Sequence, residues 1–176
     1  MTDSTDLSRY SAFETLHNGR VIEIRAIKPE DREAMLKVVD RASKESFYRR
    51  FFSPKRDFSE REIDHFFDVD FEKLVALVVV LKEAGRSIVI GGGRYIVYQP
   101  GRAELAFGLE DAYQGQGIAS AIMRHLTAIA RTAGLEELHA DVLQSNASML
   151  KVFEKSGLAV SMTRDQGVLH ITLRLR

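Results

Sequence analysis

Six consecutive residues, Gln114-Gly115-Gln116-Gly117-Ile118-Ala119, combine two glycines with the start of a helical apolar repeat, a pattern suited to holding an anion. The first N–H groups of a helix have no intrahelical partner and carry the positive end of its dipole. Glycine removes the Cβ that would keep a diphosphate from the backbone, so such a loop can bind one without a lysine. A tight strand-to-helix turn with no ligand has the same look, and the glycines alone do not separate the two. A dinucleotide fingerprint fits less well. Gly115-x-Gly117 follows a strand pattern and Asp141 stands downstream, but Ser120 takes the place of the third glycine. Only thirty-five residues follow Asp141, too few to complete a doubly wound sheet. A nucleotide P-loop is excluded, because no Gly-Lys-Ser/Thr is present.

Just upstream, Ala103 to Leu109 reads as a strand, and its period of two puts Glu104, Ala106, Gly108 and Glu110 on one face. Leu105, Phe107 and Leu109 take the other. Two carboxylates on one face are candidates for proton transfer, although from the residues alone a solvated strand position, pairing with Arg102 or a neighbouring strand, is the preferred reading of Glu104. Weaker signals have plainer readings. Asp64-His65-Phe66-Phe67-Asp68-Val69-Asp70 has metal-ligand residue types but no second histidine at helical spacing, so a solvated acidic helix end is preferred and no metal is expected. His125 and His139 are single histidines in regular elements and read as packing or surface residues. Phe47-Tyr48-Arg49-Arg50-Phe51-Phe52 interleaves aromatics with arginines as RNA-binding surfaces do. An acceptor-site or dimer-contact segment is the preferred reading there.

The elements that must position these residues follow from periodicity. Residues 1–20 read as a polar arm of uncertain order, and Val21 to Arg25 alternates like a half-buried strand. Pro29, Glu30 and Asp31 open a helix to about Ala42. Ser59 with Glu62 forms a capping box for a second helix, with Ile63, Phe66 and Phe67 as its apolar stripe. Lys73 to Lys82 is a β-branched run suited to a strand buried on both faces. Ser87 to Tyr98 and Ala103 to Leu109 complete an antiparallel meander, and Gly91-Gly92-Gly93 implies a bulge or a close backbone approach. Ile118, Ile122, Leu126 and Ile129 recur at helical spacing up to Gly134. A strand (Leu138–Leu143), a helix (Ala147–Lys155) and two strands (Leu158–Thr163, Val168–Leu173) close the chain.

Composition narrows the classes. Twenty-five basic residues balance twenty-five acidic ones, without the basic surplus of a dedicated nucleic-acid binder. No cysteine is present, which excludes disulfides, thiolate metal sites and a cysteine nucleophile. The longest apolar stretch, Leu74 to Leu81, has eight residues, far below the roughly twenty needed to span a bilayer. Neither nucleic acid nor membrane is expected as a partner, and a cytoplasmic location is. Whether the chain forms a homodimer stays open.

The loop Gln114–Ala119 is similar to the signature Q/R-x-x-G-x-G/A of the GNAT N-acetyltransferase superfamily, whose amides hold the pyrophosphate of coenzyme A. Asn146 to Gly157 (NASMLKVFEKSG) resembles that family's second motif, in which an asparagine contacts the pantetheine arm. The element order matches too, and the resemblance covers about residues 21–175. Phe47–Pro54 (FYRRFFSP), Ala103–Phe107 and Tyr113–Ala119 look closest to the bacterial protein-lysine acetyltransferase group.

The resemblance implies a mixed α/β (α+β) GNAT fold over residues 21–176: one mostly antiparallel sheet of about seven strands with helices on both faces. It implies an N-acetyltransferase that moves an acetyl group from acetyl-CoA to an amine, a protein lysine first of all, by direct transfer in a ternary complex. A small-molecule amine acetyltransferase and a non-catalytic acyl-CoA sensor are the alternatives. Glu104 stands where the lysine-modifying group carries its proposed base, with Glu110 as a backup. Cofactor contacts are implied at Phe107, Gly108 and Leu109, where relatives splay two parallel strands. They are implied as well at Gln114, Gly115, Gln116, Gly117, Ile118, Ala119 and Ser120, and at Asn146, Met149 and Phe153. Gly108 would ease the splay, and Met149 reads equally well as core. Many relatives place a tyrosine, as general acid, where this chain has Phe153. Thiolate would then leave directly or be protonated by solvent, and Phe153 would serve as a core or cofactor-packing aromatic.

Overall fold

In the computed structural model, which describes residues 6–41 and 59–176, the chain begins with strands β1 (Ser11–Thr15) and β2 (Val21–Ala26). A 3-10 turn (Pro29–Asp31) leads into α1 (Arg32–Arg41), followed by α2 (Glu60–Phe67). The meander is β3 (Leu74–Glu83), β4 (Arg86–Gln99) and β5 (Arg102–Leu109). Then come α3 (Ile118–Thr132), β6 (Glu137–Leu143), α4 (Ala147–Glu154), β7 (Ala159–Asp165) and β8 (Val168–Arg174). The strands build one eight-stranded sheet of order β1-β2-β3-β4-β5-β6-β8-β7. Every pair is antiparallel except β5–β6. A parallel pair needs a long crossover, and α3 supplies it.

The β-branched run of β3 is buried on both faces, as its composition requires. Val75, Leu77, Val79 and Leu81 face the larger cluster, which takes in Ile118, Ile122 and Leu126 of α3. Leu74, Ala76, Val78 and Val80 face a smaller one that packs Met35 of α1 and Phe67 of α2. Each fully buried Ile or Leu contributes roughly 1.5–3 kcal/mol, so the α3 side of the sheet is the better held.

The triple glycine meets both expectations placed on it. The β3–β4 register shifts between Val79 and Val80, and the backbones come too close for side chains. A Cβ on Gly93 would lie 2.6 Å from Ile122 Cγ2, and one on Gly91 would lie 2.4 Å from the Gly108 carbonyl. Gly93 lets α3 sit directly on the sheet, and Gly91 lets the β4 backbone approach β5.

Where the sequence shows only a polar arm, the structure has an eighth strand. β1 pairs with β2 from Ser11↔Arg25 to Thr15↔Val21, and a short turn at Asn18–Gly19 joins them. Ser59 stands immediately before α2, at its expected cap position. The side chains of Glu62, Ile63 and Phe66, and the segment Phe47–Pro54, lie outside the described residues. Among the described residues no helix is long and apolar enough to cross a membrane.

Candidate functional site

The glycine loop leaves β5 through a 3-10 turn, Asp111–Tyr113. Gly115 and Gly117 are left-handed, with φ of 78° and 85°, and an added Cβ at either would meet nothing within 4 Å. Gly117 is the N-cap of α3 and offers no side chain to its first turn. The first backbone bond there runs from the Ala121 N–H to the Gly117 carbonyl at 3.1 Å, so the N–H groups of Ile118, Ala119 and Ser120 precede the helical ladder. Side chains pin the loop from both ends. Gln114 Nε2 donates to the Leu109 carbonyl at 3.3 Å, and Gln116 Oε1 accepts from Asn18 Nδ2 at 2.9 Å and Arg20 Nη1 at 3.2 Å.

Next to the loop the sheet opens. The parallel ladder joins only Arg102–Glu104 to Glu137–His139, after which β5 runs on to Leu109 and β6 to Leu143 without pairing with each other. The β5 residues alternate which neighbour they bond. At one end the Glu137 N–H donates to the Gly101 carbonyl at 3.0 Å, and at the other the Glu110 N–H donates to the Ile90 carbonyl at 2.8 Å. Odd-numbered residues therefore turn their backbone groups toward β6 and even-numbered ones toward β4. Phe107 and Leu109 thus present N–H and C=O groups to the slot that β6 has vacated, while those of Gly108 face β4. Gly108 is not one of the left-handed glycines, so the splay needs no special backbone there.

At the slot's base, where the parallel ladder ends, is a cleft of about 210 Å³ lined by Tyr98, Glu104, His139, Ala140 and Asp141. Glu104 is exposed and lies beside His139 across the parallel pair. His139 is oriented by Glu137, its Nε2 2.9 Å from Glu137 Oε2, and its ring meets that of Tyr98 edge-on at 5.8 Å. The hydrogen bond from His139, with Arg102 and Arg174 nearby, holds the Glu137 carboxyl below its usual range. Asp141 pairs with His170 of β8, and that hydrogen bond raises the imidazole above its ordinary value. Glu110, half-buried, shares the Glu104 face but stands at the far end of β5.

The second motif is less directly placed. Asn146 caps α4, its Oδ1 accepting from the Met149 N–H at 3.3 Å, which leaves its amide nitrogen as the donor for a ligand. Met149 is half-buried against the larger cluster. Phe153 is 2% exposed and packs in the larger cluster, with its ring centroid 6.3 Å from that of Phe107. His125 is bonded to the Tyr10 hydroxyl, a packing role as its sequence context suggests. Asp64 pairs with Arg32, and among the described residues no group of three His, Asp or Glu could hold a metal ion.

Sequence reasoning missed Arg20, Asn18, Tyr98 and the part played by His139. The first two lie almost a hundred residues from the loop they touch, and the other two depend on strand register. The residues present suit acetyl-CoA: an open glycine turn with amides for a diphosphate, and a slot of backbone groups for an extended amide-bearing arm.

The model of the acetyltransferase (GNAT) domain family matches residues 22–159. An acetyltransferase of Pseudomonas aeruginosa is 30% identical over 159 residues, covering 85% of this chain and 86% of that protein. Acetyltransferase Pat of Mycolicibacterium smegmatis is 32% identical over 167 residues; they cover 91% of this chain but 49% of Pat, so the chain spans about half that relative's length. The crystal structure of the GNAT domain of S. lividans PAT superposes with a TM-score of 0.81 at 31% identity, over 93% of this chain and 96% of that one.

Proposed function

This chain belongs to the GNAT acetyltransferase family, and from that premise we propose that it carries the acetyl group of acetyl-CoA to the side-chain amine of a protein lysine. The reading is carried by the opening of β5 from β6 directly beside the cleft that holds Glu104. The relatives named Pat and PAT, and the motif likeness to the lysine-modifying group, favour a protein acceptor.

Bound acetyl-CoA supplies an activated acetyl thioester. The amides of Ile118, Ala119 and Ser120 hold its diphosphate at the positive end of α3. Backbone groups of Phe107 and Leu109 receive the pantetheine arm, and an N–H there polarises the reacting carbonyl. A lysine amine of pKa about 10.4 is neutral in only about one molecule in two thousand at pH 7, so attack requires a base. Glu104 takes that proton and, being exposed, passes it to solvent. With Phe153 buried in the core, no side-chain acid stands at that position, and the thiolate leaves directly or takes a proton from water. A small amine is the second reading, favoured by the cleft's size of about 210 Å³.

Thiol release from acetyl-CoA, followed with lysine-containing peptides, with small amines and with no acceptor, tests the assignment. Peptides are expected to raise the rate at least tenfold over the acceptor-free rate. Stimulation by small amines alone favours the second reading, and saturable binding without release under any condition overturns both.

A further inference from the structure

We propose that the β1–β2 turn belongs to the cosubstrate site, with Arg20 as a positioning residue that holds the diphosphate loop in its binding form. The proposal rests on the reading that this loop takes acetyl-CoA. Gln114, Gly115 and Gly117 are exposed, and the space beside both glycines is empty. A glycine loop with nothing packed on it must lose its freedom when ligand binds, and that loss is subtracted from affinity. The β1–β2 turn removes the freedom beforehand.

Asn18 and Arg20 both donate to Gln116 Oε1, and the Arg20 guanidinium lies 5.7 Å from the centroid of the Tyr113 ring. Residues on either side of Gly115 are thus held by one hairpin. The brace is itself anchored. Arg20 Nε lies 3.4 Å from Glu83 Oε1, the Arg20 N–H donates to Asn18 Oδ1 at 3.0 Å, and the Leu16 N–H donates to the Arg20 carbonyl at 2.8 Å. The backbone bonds close the hairpin without the guanidinium, so removing it spares β1. Glu83 offsets the arginine's charge, which favours bracing over direct ligation of a phosphate. Orienting Gln116 Oε1 toward the hairpin also turns that lone-pair oxygen away from the incoming anion.

The test measures acetyl-CoA affinity by calorimetry for wild type, Arg20→Gln, Gln116→Ala and the double variant, with saturating kcat and thermal unfolding recorded for each. Asn18→Ala, which loses one of the two donors to Gln116, serves as a second probe should Arg20→Gln unfold. Arg20→Gln is expected to weaken binding and raise the acetyl-CoA KM by about tenfold, leaving saturating kcat within about twofold. The double variant is expected to bind no worse than the weaker single one, because both changes break the same contact. Acetyl-dephospho-CoA should suffer the same loss as acetyl-CoA. Unchanged affinity in folded Arg20→Gln, additive losses, or a loss confined to the ligand bearing the 3′-phosphate would each overturn the bracing role. Failure of the wild type to bind acetyl-CoA at all overturns the underlying site, and is distinguishable because it needs no variant.

Discussion

Glu104 on β5 and Glu110 just past its end share one face, but they are six residue steps apart, a separation of about 20 Å at 3.3 Å per residue. The two carboxylates therefore cannot serve one reacting amine, and only Glu104 lines the cleft at the base of the splay. Replacing Glu104 with Gln keeps its shape and removes its basicity, so kcat should fall by about a hundredfold or more while acetyl-CoA affinity stays within about twofold. Glu110→Gln should leave kcat within a few fold. Steady-state rates alongside calorimetry check both; near-normal turnover in Glu104→Gln would remove it from the mechanism. Tyr95 offers a sharper stability test. It is fully buried, its hydroxyl has no hydrogen-bond partner among the described residues, and burial pushes its phenol up to about 12. A buried hydroxyl without a partner costs free energy, so Tyr95→Phe should be neutral or stabilise by about 1 kcal/mol in urea unfolding. A loss above about 1 kcal/mol would mean that the hydroxyl has found a partner.

At the scale of elements, α3 couples the core to the site, because the helix that packs on Gly93 also presents the loop amides. A Cβ on Gly93 would meet Ile122 Cγ2 at 2.6 Å, Phe107 Cδ1 at 2.8 Å and Leu126 Cδ1 at 3.1 Å. Gly93→Ala should therefore cost about 1–3 kcal/mol by overpacking and weaken acetyl-CoA binding severalfold as α3 shifts. Thermal unfolding and calorimetry read the two effects; full stability with native affinity would show that the helix yields freely. The same helix was legible in the sequence, since Ile118, Ile122, Leu126 and Ile129 mark its buried stripe and all four are buried. β3 was equally plain, as a β-branched run with no polar face. β1 was not, because its pattern is inverted. Phe13 is 65% exposed, while the half-buried Glu14 is satisfied by Arg124 and His125 of α3. An edge strand that turns an aromatic outward and a carboxylate inward gives no hydrophobic alternation to read. Of the site, the loop and Glu104 were visible as local patterns. The cleft around Glu104 was not, because it depends on the register Glu104↔His139 between strands joined through α3.

Across the whole molecule the two faces of the sheet are held by different forces, and that difference sets the response to acid. The α3–α4 side rests on the large apolar cluster, whereas the α1–α2 side combines a smaller cluster with an ion pair. Arg25 of β2 donates to both Asp31 oxygens at 2.8 Å, and the Lys28 N–H adds a third bond at 2.7 Å, tying the start of α1 to the sheet. The two side chains are only 17% and 7% exposed. Burial pushes the Asp31 carboxyl up, but the hydrogen bonds from Arg25 and Lys28 outweigh it and hold the group below its usual value of 3.8. A carboxylate with a depressed folded pKa stabilises fully above the unfolded value, and that contribution is lost as pH falls through the folded one. Wild-type stability should therefore not change on this account between pH 7 and pH 5 and should decline below about pH 4. Asp31→Asn leaves the buried guanidinium without its counter-charge, and should cost about 2–4 kcal/mol at neutral pH. Because the variant has no such carboxylate to protonate, the gap between the two proteins should narrow as pH drops from 5 toward 3. Urea unfolding followed by circular dichroism across that range measures the gap. A difference that stays constant down to pH 3 would assign the acid limb to other carboxylates, such as Asp70, whose oxygen accepts the N–H groups of Glu72, Lys73 and Leu74 at the entry to β3.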